Sequence, residues 1–305
     1  NSSRTPAEVA AHLNGLGIAG EAEEVVNSAV PAVAQLADYL QPGVKVLGVG
    51  GNGVFEAIIE GGYELVTSAE DQPVAVLQGL SENVGWAQLS EAALAIKAGA
   101  KHFATNLDAT VPKQRGEMLG NGSLVAAVAN ATGEPVIASG KPFEFIYRFA
   151  ERGSGVTNAL CVGDRLNTDI AGAVNANLPS LHVLTGVNTA RDVVLATQAE
   201  RPTYLALDLR ALNEPYVRVA SLKDGYECGE TFLQLQATPE EIKITIDDEQ
   251  IKLSATSTTL SAPAEIELNI FQYRALAQAV WDYLDNEGSA ELISVLPEIK
   301  VVEGK

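Results

Sequence analysis

Asp164 and Asp169 fall in or beside one turn of the stretch NALCVGDRLNTDIAGAV, residues 158–174. Two carboxylates held that close repel each other. A hard cation relieves the repulsion, and Mg²⁺ takes oxygen ligands while keeping several of its waters. Asn167, Thr168 and Asp169 suit equally well the N-cap of a helix starting near Ile170, so from spacing alone capping and metal binding both stand. Lys141, in Ser139-Gly140-Lys141-Pro142, is the second candidate. Pro142 suits the first position of a helix over residues 143–150, which puts a lysine at the positive end of a helix dipole, where an anion would compensate it. Backbone N–H groups and an ammonium aimed at one anion make a phosphate clamp; a solvated surface lysine is the alternative. Asn106 and Asp108, in Thr105-Asn106-Leu107-Asp108, could reach a substrate or serve only the turn.

The elements that must position these residues read as an open α/β fold. The apolar run 159–162 stops on Gly163-Asp164 and passes into a small-residue helix pattern, as strands of a parallel sheet do where ligands gather at their carboxyl ends. Further strands are predicted over 24–29, 44–49, 75–78, 101–105, 135–138 and 180–184, with helices over 7–16, 32–40, 54–59, 86–98 and 123–130. Thr5 and Pro6 suit the start of the first of these helices. The turn Gly48, Gly50, Gly51, Gly53 superficially matches a dinucleotide fingerprint, but the expected acidic residue some twenty positions on is missing from strand context, and a tight strand-to-helix turn is the better reading. His12, His102 and His182 have no ligand spacing and carry no assigned chemistry. Residues 42–138 read as an α+β unit inserted between two stretches of another domain, 1–41 and 139–212.

A formal charge of −19 over 305 residues argues against nucleic acid or an anionic membrane as the main partner, since a phosphate backbone needs a basic face. No run approaches the apolar length of a membrane span and no secretory leader pattern is present, so a soluble, cytoplasmic protein is expected. Cys161 and Cys228 lie in dissimilar settings and read as free thiols.

Taken together, Gly140-Lys141-Pro142, Gly163-Asp164-Arg165-Leu166-Asn167-Thr168-Asp169, Leu184-Thr185-Gly186-Val187, Thr105-Asn106-Leu107-Asp108 and the opening Asn1-Ser2-Ser3-Arg4-Thr5 resemble the haloacid dehalogenase superfamily. The resemblance is to its capped nitrophenylphosphatase, phosphoglycolate phosphatase and pyridoxal phosphatase branch, and it covers roughly residues 1–212. It implies a Rossmann-like parallel sheet core with an inserted cap and a Mg²⁺-dependent phosphatase acting on a small phosphorylated metabolite through an aspartyl-phosphate. By the resemblance Lys141 holds phosphate and nucleophile, Asp164 is a metal ligand, Asp169 supports the metal directly or through water, and Asn1 binds phosphate. The family's Asp-x-Asp nucleophile motif does not occur in the stretch where it would be needed, and Asp247-Asp248 is no substitute because Gly and Thr do not follow it. The expectation is therefore that the nucleophile and the N-terminal core strands lie upstream of Asn1, and that this segment alone lacks the family reaction.

From about residue 213 the character changes. Residues 214–305 carry 17 Asp and Glu against 7 Lys and Arg, more than half of the chain's net charge. Short strands are predicted over 216–222, 230–236, 242–246 and 251–255, and an amphipathic helix over 270–284 with Phe271, Leu276, Val280 and Leu284 near one face. This C-terminal α+β extension resembles the degenerate acetyltransferase-like tail of actinobacterial glycerol-3-phosphate phosphatases, which makes glycerol 3-phosphate the first substrate expectation. Without an acetyl-CoA pyrophosphate loop, it reads as a packing, regulatory or homodimer-forming module.

Overall fold

In the computed structural model the described residues are 2–238, 241–256, 259–261, 265–286, 290–293 and 295–303. The chain divides into two compact units, Asn1–Asn158 and Ala159–Lys305. Among the described residues no helix is long and apolar enough to cross a membrane.

The first unit is built on a five-stranded parallel sheet in the spatial order Glu64–Val66, Lys45–Val49, Ala75–Gln78, Lys101–Ala104, Val136–Ala138. Its central strands are buried along most of their length because helices cover both faces. Alternation along Lys45–Val49 sends Val46 into one cluster, with Leu36, Val54, Ile58, Leu77 and Phe103. Leu47 and Val49 go into the other, with Val76, Ile96 and Val128. Residues 42–138 add one antiparallel hairpin, Thr110–Lys113 with Gly116–Leu119. The glycine turn after Lys45–Val49 opens the helix Asn52–Glu60.

Thr5 starts the helix Pro6–Gly15 with a capping box: its hydroxyl accepts the Glu8 N–H at 3.2 Å, and its own N–H donates to Glu8 Oε2 at 2.8 Å. The strand expected over 24–29 does not form. A 3₁₀ turn, Ala22–Glu24, stands there, and Asn27 Oδ1 accepts the N–H groups of Ala29 and Val30, each at 3.0 Å. That side-chain cap starts the helix Ala29–Leu36 three residues earlier than apolar spacing indicated.

The second unit opens with three parallel strands in the order Tyr204–Ala206, Ser180–Val183, Cys161–Gly163. A six-stranded antiparallel sheet follows, running from Ala220–Ser221 to Thr259–Ser261, so only two residues of the strand expected over 216–222 pair. Asp247 and Asp248, with φ of 47° and 72°, form the two-residue turn between Ile246 and Glu249, a hairpin role rather than a chemical one. Asn269 and Gln272 form the capping box of the helix Ile270–Asp285. This helix buries Tyr273, Ala275, Leu276, Ala277, Val280 and Trp281, a broader face than the single stripe expected.

Candidate active site

The strand Cys161–Gly163 ends where expected, and the chain turns at once through Asp164 and Arg165 into a π-helical stretch, Leu166–Ile170, continued by the helix Ala171–Asn175. Asp169 therefore lies inside the first turn instead of capping a helix that begins at Ile170. Its Oδ2 reaches back to accept the Arg165 N–H at 3.1 Å, while its own N–H donates to the Arg165 carbonyl at 2.9 Å. One carboxylate thus satisfies a donor that the helix start leaves without an intrahelical partner. Single π-turns of this kind recur at functional sites.

Asp164 is half-buried, and its carboxylate is seated by the next strand's loop. Its Oδ2 accepts the Val187 N–H at 2.8 Å, and Oδ1 engages no donor among the described residues. Two glycines make the room. A Cβ on Gly186 would overlap the carboxylate of Asp164, and one on Gly163 would stand 2.6 Å from Cγ and 2.8 Å from Oδ2 of Asp169. Each acidic side chain therefore lies over a glycine, and a Cβ at either place would have to displace the carboxylate. Among the described residues no group of three or more His, Cys, Asp and Glu side chains could hold a metal ion by itself. That donor set suits Mg²⁺, which commonly takes one or two carboxylates and completes its shell with water and substrate phosphate.

Two residues that sequence reasoning left without a role hold this turn. His182 pairs with Gly163 across the parallel ladder, and its Nε2 lies 3.1 Å from the Asp164 carbonyl. Burial pushes the imidazole pKa down, against the upward pull of Asp164, Asp169 and Asp192, so the neutral ring donates from Nε2 to that carbonyl. Asn188 bridges the two loops: its N–H donates to the Asp164 carbonyl at 3.1 Å, and its Oδ1 accepts the Leu166 N–H at 2.9 Å. Its Nδ2 donates to Asp192 at 3.3 Å. The only sequence signal for either residue was a polar side chain within or just after an apolar strand.

Lys141 belongs to the first unit and is exposed. The helix expected to start at Pro142 starts at Glu144, with Phe143 as its N-cap. The reason is a turn: the Phe143 N–H donates to the Gly140 carbonyl at 3.0 Å, which places Lys141 and Pro142 at the turn's centre. The Lys141–Pro142 peptide is cis. A Cβ on Gly140 would stand 3.0 Å from Asn106 Cβ, so the lysine loop packs against the 105–108 loop. There Asn106 Nδ2 donates to Asp108 Oδ2 at 2.7 Å and Thr105 Oγ1 donates to Asn106 Oδ1 at 3.0 Å. Buried Asn121 supports the loop, its Nδ2 donating to the carbonyls of Asn106 at 2.9 Å and Gln78 at 3.2 Å. The fold thus groups Lys141, Asn106 and Asp108 in one unit, and Asp164 with Asp169 in the other. Asn1 lies outside the described residues.

Comparison with known proteins places this geometry in context. The HAD-hydrolase-like family model matches residues 138–212. The chain is 49% identical over 214 residues to the D-glycerol 3-phosphate phosphatase of Mycobacterium tuberculosis, an alignment covering 70% of this chain and 61% of that protein. It is 36% identical over 211 residues to an acid sugar phosphatase of Staphylococcus saprophyticus, covering 68% of this chain and 80% of the relative. A crystal structure of the glycerol phosphate phosphatase of M. tuberculosis in complex with magnesium superposes with a TM-score of 0.78 at 40% identity, covering 92% of this chain and 79% of that one.

Proposed function

We propose, given that the chain belongs to the haloacid dehalogenase-like hydrolases, that it works as a Mg²⁺-dependent phosphomonoesterase with glycerol 3-phosphate as its substrate. The observation that carries the reading is the pair of carboxylates Asp164 and Asp169, each seated over a glycine at the end of a parallel strand. The mycobacterial relative supports the substrate, and the acid sugar phosphatases support the broader class of small polyol and sugar phosphates.

Bound at this turn, Mg²⁺ would neutralise phosphoryl oxygens and so stabilise the charge that builds up during transfer. Asp164 would hold the metal and Asp169 would support it. Lys141 supplies an ammonium to the phosphate and to the attacking carboxylate, with Asn1 as a further phosphate contact. On this reading an aspartate attacks phosphorus. A second carboxyl protonates the leaving alkoxide, and water then hydrolyses the aspartyl-phosphate. Asn106 and Asp108 are the substrate contacts of the cap in this reading.

In the same reading residues 1–41 and 139–212 form the phosphatase core, 42–138 the cap and 213–305 the extension. We place the protein in the cytoplasm, where the thiols of Cys161 and Cys228 stay reduced, and take a homodimer as its assembly.

The test is a phosphatase assay of the full-length protein on glycerol 3-phosphate, phosphoglycolate, pyridoxal phosphate and a nucleoside monophosphate, with Mg²⁺ and then with EDTA. Mg²⁺-dependent release of phosphate, fastest from glycerol 3-phosphate, is the expected result. Binding of phosphorylated metabolites with no turnover of any would leave a non-catalytic binding protein.

A further inference from the structure

The C-terminal extension and the aspartate turn share one hydrophobic core. Leu166 and Ile170, on either side of Asp169, are buried in the same cluster as Val193, Val194 and Leu205 and as Tyr273, Leu276, Trp281, Ile293 and Leu296 of the extension. Between them lies the short helix Ala190–Val194. Both the helix Ile270–Asp285 and the strand Glu298–Val302 pack against it. Two hydrogen bonds pin its backbone and its side chain to the extension. Trp281 Nε1 donates to the Val193 carbonyl at 3.1 Å, and Arg191 Nε donates to the Leu296 carbonyl at 2.7 Å.

The opposite end of that short helix points the connection towards the carboxylates. Thr189 and Asp192 form its capping box, and Asp192 accepts from Asn188 Nδ2. Asn188 in turn holds the Leu166 N–H with its side-chain Oδ1 and the Asp164 carbonyl with its backbone N–H. Hydrogen bonds therefore run unbroken from Asp164 through Asn188 to Asp192, and the helix bearing Asp192 is bonded to the extension through Val193. A separate, merely tethered domain would bury its own core and leave this helix to the sheet.

We infer that the C-terminal extension is a positioning element for the Mg²⁺ turn, acting through the helix Ala190–Val194 and the side chain of Asn188. The inference rests on the proposed Mg²⁺ role of Asp164. It gives the extension a task inside the site's framework, and it makes Asn188 and Trp281 positioning residues.

The experiment measures metal affinity in the full-length protein, by Mn²⁺ electron paramagnetic resonance with Mg²⁺ competition, for Asn188→Ala, Trp281→Phe and the double variant. Asn188→Ala keeps the backbone bond to the Asp164 carbonyl and removes the side-chain bonds to Leu166 and Asp192; loosening an outer support of a metal site in this way is expected to weaken binding about tenfold. Trp281→Phe keeps an aromatic side chain but loses the indole N–H donor and part of the buried ring volume, for which about a threefold weakening is expected. Because Trp281 acts through Asn188, the double variant should bind no more weakly than Asn188→Ala alone. Amide exchange over residues 163–170, measured without metal, should quicken in both single variants. Lys300→Ala, which breaks only an exposed ion pair with Glu267, should leave affinity unchanged.

A Trp281→Phe protein that loses thermal stability yet keeps wild-type affinity would make the extension structural only and overturn the inference. Single effects that multiply in the double variant would break the link through Asn188. Should Trp281→Phe not fold, Arg191→Lys removes the bond to Leu296 and takes its place in the cycle. Wild-type protein that hydrolyses phosphoesters with Mg²⁺ while all variants bind metal equally sinks this inference alone. Wild-type protein that binds no divalent metal sinks the functional reading as well.

Discussion

The carboxylate of Asp164 lies over the Cα of Gly186, so close that a Cβ at residue 186 would occupy its place. Gly186 is exposed, and the three atoms nearest to a Cβ there all belong to the Asp164 side chain. Gly186→Ala should therefore change stability by no more than about 1 kcal/mol while pushing the Asp164 carboxylate aside. Displacement of a metal-holding group by about 1 Å costs on the order of a hundredfold in rate, and that loss is expected in Mg²⁺-dependent turnover. Thermal melts beside steady-state kinetics check it; a variant with wild-type kcat/KM would show that the contact does not matter.

Asp164→Asn separates charge from shape at the same position. The amide oxygen can still accept the Val187 N–H, so the loop should keep its conformation. What disappears is the negative charge needed to hold a hard cation. We expect Mg²⁺ affinity and turnover to fall at least about a hundredfold with the melting temperature little changed. Unaltered turnover would remove Asp164 from the metal role.

The strand that ends beside the carboxylate pair was legible in the sequence because its apolar run is short and stops on Gly-Asp, but spacing alone left the pair open between helix capping and metal binding, and the family resemblance carried the metal reading. The details around the pair were not legible. Asp169 looked like a cap for a helix at Ile170, but the π-turn Leu166–Ile170 set its side chain against the Arg165 N–H, a geometry no residue pattern announces. Pro142 looked like a helix start, and a turn closed by Gly140 and Phe143 displaced the helix by two residues. His182 and Asn188 escaped notice because they act through hydrogen bonds to backbone far away in the sequence, His182 on Asp164 and Asn188 on Asp164 and Leu166, which only the sheet's register creates. Residues 24–29 had strand-like composition, and one asparagine cap outweighed it.

His102 makes stability depend on pH. It lies 2% exposed on a central strand, with Nε2 at 3.2 Å from Gln78 Oε1, and burial lowers its pKa from 6.5 to about 4. The unfolded chain takes up its proton near pH 6.5, whereas the folded chain resists until about pH 4. The folded state is thus unaffected above about pH 6.5, loses stability progressively as pH falls towards 4, and has lost up to about 3 kcal/mol from this group below it. Urea unfolding at pH 7.5, 5.5 and 4.5 should show this slope, and His102→Gln should flatten it. Equal slopes for the two proteins would assign the pH dependence elsewhere.

Asn106 and Asp108 can be tested for contact with substrate because their loop is braced independently of them. Asn121 is fully buried and donates to the carbonyl of Asn106, not to its side chain, so truncating Asn106 leaves that brace in place. Asn106→Ala also frees Asp108 Oδ2 of its 2.7 Å partner. If these side chains read the polyol end of the substrate, the loss is one of binding common to ground and transition states. KM for glycerol 3-phosphate should then rise about tenfold with kcat nearly unchanged. A fall in melting temperature with KM unmoved would mark the pair as turn residues only. Asn121→Ala supplies the contrast. It removes the loop's brace without touching the substrate, so stability should fall by about 1–3 kcal/mol, and KM should rise only as far as the loosened loop misplaces Asn106.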